Sequence, residues 1–576
     1  MKVKLAKTAG FCMGVRRAME LVLTEVNKKK GPLFTFGPLI HNNQVLDLLE
    51  SKGVKPIDDL TGIDKGAIAI RAHGISPKKR QEIKETGLKV IDATCPKVAK
   101  VQALLRYHTK KGSTAVIVGN RGHAEVVGLL GYCKTPAYVI ETVEDVNSLP
   151  DLERVVVVAQ TTQNVKNFSK VAKAIKVRFP YAQVLNTICN ATSNRQKEVR
   201  SFAGQVDATV VVGGFHSGNT CRLVQVSRES NTPTFHVETE KDLDRKMLSG
   251  MKVIGVTAGA STPNWMIKKV VSEIEGIRGK TEGAFYHWLK RLFKSLLANK
   301  IGVSFGAFCL SYATAILIER PTDMIFPSLA FLYIYAMHVL NRFLDRGASA
   351  YNDPERAFFL KKHRPFLIVS GIVAVASSVV ISFIIGLKTF LALCGLSLIG
   401  LAYSLPLVPE RIRHRYSYYK IKDIPGSRSL SESLAWVAIV AVIPILESDH
   451  IAWPAVFVSA MTVFTMSYVR STLFDIFDVQ GDLIVGIETL PISIGTRKTL
   501  IILKTVLVVD SLFLLASPLL GLVGRFSFIL LIPVVTLSFC LVAYERRWIY
   551  PGSALEAMVE GNFVLAGLLA LIWQGL

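Results

Sequence analysis

The sequence predicts two architectures in tandem: an α/β N-terminal half built of three related units, and an all-α polytopic membrane half. Three observations predict this. With 576 residues, the chain is too long for one hydrophobic core. Charged and apolar residues intermix up to residue 298, whereas beyond it apolar stretches of spanning length follow one another to the end. Within the first half, short β-branched runs alternate with amphipathic segments, as parallel sheets require.

The opening MKVKLAKTAGFCMGV lacks a long apolar run, so it reads as a strand entering a loop rather than a secretory signal. The N-terminal half is therefore expected in the cytoplasm. Cys12, Cys95, Cys133, Cys189 and Cys221 are then expected to be reduced, as free thiols or metal ligands. Strands are predicted at 67–70, 115–118, 155–159, 209–212 and 253–256, each followed by Gly, His, Thr or Ser. Helices are predicted at 78–85 and 98–110. Parallel sheets bind ligands at the carboxyl ends of their strands, and the polar clusters fall there.

Cys12, Cys95 and Cys189 share a local setting (GFCMGV, DATCPKV, NTICNAT) at broadly even intervals. Each stands just before a helix start, where the helix dipole favours thiolate. Three units each delivering one thiolate to a shared centre would hold a 4Fe–4S cluster and leave one iron open for substrate. Cysteine is also a common small buried hydrophobe. The intervals match no ferredoxin-type run, so spacing by itself leaves both readings open.

The formal charge of +24 does not point to nucleic acid. No basic stretch is interleaved with aromatics, and the basic residues after 300 gather between apolar runs, as the positive-inside rule predicts. Roughly nine spans are expected, centred near Phe308, Leu332, Ala374, Leu396, Ala438, Ala460, Val508, Val534 and Leu568. Residues 279–299 read as an amphipathic linker lying along the membrane surface, against the plainer reading of an ordinary linker helix. Lysine and arginine concentrate in the 342–365, 409–428 and 470–498 loops. These loops are assigned to the inside of a multi-pass protein of the inner (cytoplasmic) membrane.

The 470–498 loop contains Asp475, Asp478 and Asp482, whose offsets place three carboxylates on one helix face. Carboxylates at the end of a membrane helix are costly unless they have work to do. Magnesium, held by a few carboxylates together with substrate phosphates, is the natural partner. The plainer reading is a solvated acidic helix end.

The motifs GFCMGVRRA, HGISP, DATCPKV, GHAEVVG, QTT, NTICNATSNRQ, SGNTCRL and GVTAGASTP stand in the order found in the LytB/IspH reductases, which residues 1–278 resemble. The resemblance implies a 4Fe–4S cluster held by Cys12, Cys95 and Cys189. It implies a proton-delivery role for Glu125 and Thr161. It implies a diphosphate site of His41, His73, His123, Ser217, Asn219 and Ser261 beside Thr192. Cys133 and Cys221 match no family ligand. Gly218 stands where some members carry a second serine. The implied reaction removes the hydroxyl of 4-hydroxy-3-methylbut-2-enyl diphosphate to give isopentenyl and dimethylallyl diphosphates. Its implied electron donor is a ferredoxin- or flavodoxin-like protein.

Residues 300–576 are similar to the UbiA prenyltransferases, through DIFDVQGD, Gly486, TLP at 489–491, Gly495, YSLP at 403–406 and KIKDIPGSR. That resemblance implies Mg2+ and a prenyl diphosphate. The first aspartate motif departs from the family pattern: Asn341 and Asp345 are present, but Arg342 and Ser349 replace its other carboxylates, and Asn352 and Asp353 lie further on. The expectation is thus a bifunctional isoprenoid enzyme. Its rivals are a reductase on a membrane domain without transferase activity, and a redox-sensing membrane scaffold.

Overall fold

The computed structural model describes residues 2–28, 31–202, 204–277, 285, 301–344, 349–404, 421–549 and 551–575. The chain divides into two compact units, Met1–Glu282 and Gly283–Leu576. The expected linker at 279–299 lies outside the described residues, apart from Phe285.

Among the described residues the first unit holds twelve strands: β1 (Lys2–Leu5), β2 (Leu33–Phe36), β3 (Val54–Ile57), β4 (Ala67–Ile70), β5 (Lys89–Asp92), β6 (Thr114–Val118), β7 (Ala137–Ile140), β8 (Val155–Ala159), β9 (Gln183–Val184), β10 (Ala208–Val212), β11 (Thr234–Val237) and β12 (Val253–Ala258). They form three four-stranded sheets, ordered β3-β2-β4-β5, β7-β6-β8-β9 and β11-β10-β12-β1. Every pairing is parallel. The three orders are one pattern repeated. In the last sheet the N-terminal strand β1 takes the fourth place, which β5 and β9 hold in the other two.

Composition explains which strands lie inside. The inner strands β4, β8 and β10 read AIAI, VVVVA and ATVVV, and every residue in them is buried. Strands covered by helices on both faces read as continuous apolar runs. The outer strands β1, β5 and β9 read KVKL, KVID and QV and are partly exposed. Separate clusters of buried aliphatic side chains line these sheets, such as Val116, Val118, Val157, Phe168 and Ile175 in one and Val210, Val256, Ile267 and Ile274 in another.

The second unit is helical. Among the described residues, five helices are long and apolar enough to cross a membrane: Arg364–Ile385, Ser427–Ile445, Thr496–Leu519, Phe526–Glu545 and Ser553–Gly575. Ile301–Leu317, Ile325–Asn341 and Leu387–Tyr403 are shorter apolar helices. The segment expected around Ala460 lies in a 33-residue helix, Trp453–Val485. Their shared core includes Trp436, Phe526 and Phe563, all fully buried. Small residues permit the closest approach. A Cβ on Gly567 would meet Cys309, so the Ile301–Leu317 and Ser553–Gly575 helices touch there through glycine.

Candidate functional site

The repeated sheet order gives each strand position its own task. The outer strands β1, β5 and β9 each lead to a cysteine that opens a helix: Cys12 before Met13–Asn27, Cys95 before Pro96–Lys110, Cys189 before Asn190–Phe202. Each cysteine N–H donates to a carbonyl in the loop after the neighbouring inner strand: Cys12 to Ala260 at 3.1 Å, Cys95 to Ala72 at 2.9 Å, Cys189 to Thr161 at 2.9 Å. The same bond, made three times, turns the cysteines toward the loops that carry the polar residues. Those loops follow the inner strands and supply His41, His73, His123, Thr161, Ser217 and Ser261.

The three thiols converge. Burial pushes the Cys95 thiol above the ordinary cysteine range; the N–H groups of Lys97 and Val98 pull it back, and the neighbouring Cys12 and Cys189 raise it again. The helix start therefore does favour the thiolate, as the sequence predicts, but burial outweighs it. A cationic metal centre would supply the missing stabilisation. Gly14 lies so close to Cys95 that even a Cβ would meet the sulfur. Two arginines tie the cysteine loops together. Arg17 donates to the carbonyls of Thr94 (3.1 Å) and Asp92 (3.3 Å), and Arg195 to that of Gly10. Three thiols in this arrangement suit a cluster with three protein ligands.

His41, His73 and His123 gather from the loops after β2, β4 and β6, with ring centroids 4.5–5.7 Å apart. Their ring nitrogens are close enough to hold a metal ion, but hydrogen bonding favours an anion. Glu125 N–H donates to His123 Nδ1 at 3.1 Å, so the proton of the neutral ring resides on Nε2 and makes it a donor. Burial, then His41 and Arg71, bring His123 down to about 4. Burial, then His41, His123 and Arg71, hold His73 well below the ordinary histidine range. Arg71, which sequence reasoning missed, thus places a guanidinium beside three neutral rings. Its signal was its position two residues before His73 in RAHGISP.

Ser217 and Ser261 lie 3.4 Å apart, and Ser261 Oγ donates to the His41 carbonyl at 3.0 Å. Thr192 is buried in the helix that Cys189 opens. A Cβ on Gly218 would rest at ordinary contact distance, 3.7 Å, from His123 Nε2. Asn219 is 5 % exposed, yet neither of its amide atoms has a partner among the described residues, nor does His73 Nδ1. Buried polar groups left so are costly unless a ligand satisfies them.

Glu125 is 1 % exposed. It accepts the Thr161 N–H at 2.7 Å and the Thr161 hydroxyl at 2.8 Å. Burial raises it to about 7 against the pull of those two bonds. Thr161 also receives the Cys189 N–H, so one residue links the acid to a cysteine loop. Cys133 and Cys221 are not joined to this set; Cys221 is exposed and donates to the Phe215 carbonyl.

In the second unit, Asp475 and Asp482 are buried and Asp478 is partly buried on the Trp453–Val485 helix. Asn352 Nδ2 donates to Asp482 Oδ1 at 2.9 Å, and its amide rests on Gly481, where a Cβ would collide with it. Asp482 Oδ2 is buried with no hydrogen-bond partner among the described residues, an arrangement that suits a metal ion. Ser429 donates to Asp475. Asn341 is exposed near the end of Ile325–Leu344, and Asp345 lies outside the described residues. Asn352, further along the chain, reaches the second aspartate motif. Nearby, Arg470 bridges Glu432 (2.8 Å) and Glu560 (3.0 Å).

Two family models match the chain: LytB protein over residues 3–275 and the UbiA prenyltransferase family over residues 301–566. The 4-hydroxy-3-methylbut-2-enyl diphosphate reductase of Geobacter sulfurreducens is 42% identical over 283 residues, 49% of this chain and 100% of the relative. That of Aquifex aeolicus is 43% identical over 276 residues, 47% of this chain and 96% of the relative. A solved UbiA homolog from Archaeoglobus fulgidus, bound to GPP and Mg2+, is 15% identical at a TM-score of 0.36, covering 48% of this chain and 99% of that one.

Proposed function

Since the chain belongs to the LytB family of 4-hydroxy-3-methylbut-2-enyl diphosphate reductases and joins to it a UbiA-family domain, we propose that it is a bifunctional isoprenoid enzyme of a membrane. The first unit reduces 4-hydroxy-3-methylbut-2-enyl diphosphate. Two electrons and two protons enter, the C4–O bond breaks, the hydroxyl departs as water, and isopentenyl and dimethylallyl diphosphates remain. The observation that carries this reading is three converging thiols, their cysteines each bonded through the backbone N–H to an inner-strand loop, with buried polar groups of Asn219 and His73 left without partners after inner strands among the described residues.

Cys12, Cys95 and Cys189 would hold a 4Fe–4S cluster, which supplies electrons and a Lewis-acidic iron when bound. The protein's own groups do the rest. His41, His73, His123, Ser217, Asn219 and Ser261 donate to the diphosphate, and Arg71 balances its charge. With an affinity for protons near neutrality, Glu125 delivers one to the leaving oxygen. Thr161 orients that carboxyl, and Thr192 lines the pocket beside Cys189.

The second unit transfers a prenyl group from its diphosphate, with Mg2+ held by Asp475, Asp478 and Asp482. Asn341 and Asp345 complete the site in the family pattern, and the Asn352–Asp482 bond supports a contribution from Asn352. About nine spans carry this domain in the inner membrane, with the first unit in the cytoplasm. Magnesium-dependent prenyl transfer by the full chain tests this half. Absence of transfer by the wild type would leave the membrane unit as an anchor, and transfer at an unchanged rate in Asp478→Asn/Asp482→Asn would remove these carboxylates from the mechanism.

For the reductase, the test is anaerobic turnover by the full chain, wild type beside Glu125→Gln. The expected result is a loss of about 10²–10⁴-fold in kcat with substrate binding retained. Full turnover in the variant would remove Glu125 from the mechanism.

A further inference from the structure

The helices that follow the three cysteines present an unusual surface. Met13, immediately after Cys12, is 60 % exposed. Asn190, after Cys189, and Lys97, two residues after Cys95, are exposed as well. Cys12, Cys95 and Cys189 are themselves partly exposed, so the converging thiols lie near the surface that these helix starts share.

That face is basic, and its acids are occupied. Helix Pro96–Lys110 contains no aspartate or glutamate, and Lys97 and Lys100 on it are exposed. The single carboxylate of helix Asn190–Phe202, Glu198, accepts the Lys7 and Thr8 N–H groups and the Thr8 hydroxyl, while Lys197 beside it is exposed. On helix Met13–Asn27, Glu25 is engaged by Lys89 and Lys28. Glu20 lies beside exposed Arg16, which offsets its charge. Asp92, just before Cys95, is held by Arg80 at 2.5 Å. The positive charges thus point to solvent with few acids left to oppose them.

We propose that this face, with exposed Met13 on one cysteine helix and exposed Lys97, Lys100 and Lys197 on the other two, is the docking surface for a small acidic one-electron carrier protein. The proposal rests on the reductase reading and names where its electrons enter. Transient redox encounters combine charges of one sign, which steer the approach, with a small apolar contact that seats it. Two visits of the reduced carrier, each giving up one electron, meet the demand of one turnover.

The experiment uses the full chain in detergent, loaded with its cluster. Turnover is driven either by a purified acidic [2Fe–2S] ferredoxin or by reduced methyl viologen, a small cationic dye that needs no docking face. Lys100→Glu/Lys197→Glu lies outside the pocket. Its KM for ferredoxin should rise at least about tenfold at low salt, and the difference should vanish at about 0.5 M salt. Ferredoxin Kd, measured directly without turnover, should weaken in parallel, while viologen-driven kcat stays unchanged. An unchanged ferredoxin KM and Kd overturns the proposal. So does a defect seen only in nanodiscs of anionic lipid, which would assign the face to the bilayer. Failure of viologen-driven turnover in the wild type is a different result: it removes the reductase reading, and the ferredoxin Kd still decides the docking face.

Discussion

Replacing Thr161 by valine exchanges one hydroxyl for a methyl of the same shape and removes one of the two hydrogen bonds to Glu125. The bond from the backbone N–H, at 2.7 Å, remains. Both bonds favour the ionised carboxylate and oppose burial, which raises Glu125 to about 7. A hydrogen bond to a charged group exceeds one to a neutral group by about 1 kcal/mol, and 1.36 kcal/mol corresponds to one unit. The Glu125 pKa should therefore rise by roughly one further unit in the variant. The acid must be protonated to deliver its proton, so the high-pH limb of kcat shifts upward by the same amount. Stability follows the same sign. The folded-state pKa lies above the unfolded one, so the contribution of Glu125 is full below the ordinary glutamate range. It is lost as pH rises through about 7 in the wild type, and through a higher value in the variant. The assay is anaerobic turnover with a dye reductant from about pH 5.5 to about pH 9, beside thermal unfolding over the same range. A high-pH limb that stays in place or moves down would refute the role given to the Thr161 hydroxyl.

Three further perturbations follow from the geometry. Asn219→Leu removes two buried amide atoms without partners, so the substrate-free protein should gain about 1 kcal/mol in thermal stability while KM for the diphosphate rises at least about tenfold; a loss of stability would mean those atoms are satisfied. Gly14→Ala places a methyl against the Cys95 sulfur, at a cost of about 1–3 kcal/mol. The visible iron–sulfur absorbance should fall with the circular dichroism unchanged; full absorbance would place the sulfur elsewhere. Asn352→Leu removes the donor to Asp482 and should raise the magnesium concentration needed for half-maximal prenyl transfer, measured by titration; an unchanged midpoint would leave Asn352 a packing residue.

Much of this could be read from the sequence because the inner strands announce themselves. AIAI, VVVVA and ATVVV are buried on both faces and are accordingly apolar throughout. The outer strands KVKL, KVID and QV have no such run, being half exposed, yet they lead to the cysteines. The threefold repeat was visible in the cysteine settings. The place of β1 as the fourth strand of the last sheet was not, because that pairing joins opposite ends of the unit. Arg71, in the loop after β4, and Arg17 and Arg195, on the helices that Cys12 and Cys189 open, were passed over because an arginine in sequence looks like surface charge, and only folding shows what it faces. In the membrane unit, the departure from the first aspartate motif was evident, but the contact of Asn352 with Gly481 and Asp482 depends on packing between distant segments.

The most direct test is anaerobic conversion of 4-hydroxy-3-methylbut-2-enyl diphosphate by the full chain, wild type beside Cys95→Ser, with electron paramagnetic resonance of the reduced protein and product analysis on the same samples. The wild type should yield isopentenyl and dimethylallyl diphosphates, with product and the wild-type signal lost together in the variant. A wild-type protein with an intact three-cysteine cluster and no product would contradict the reductase reading.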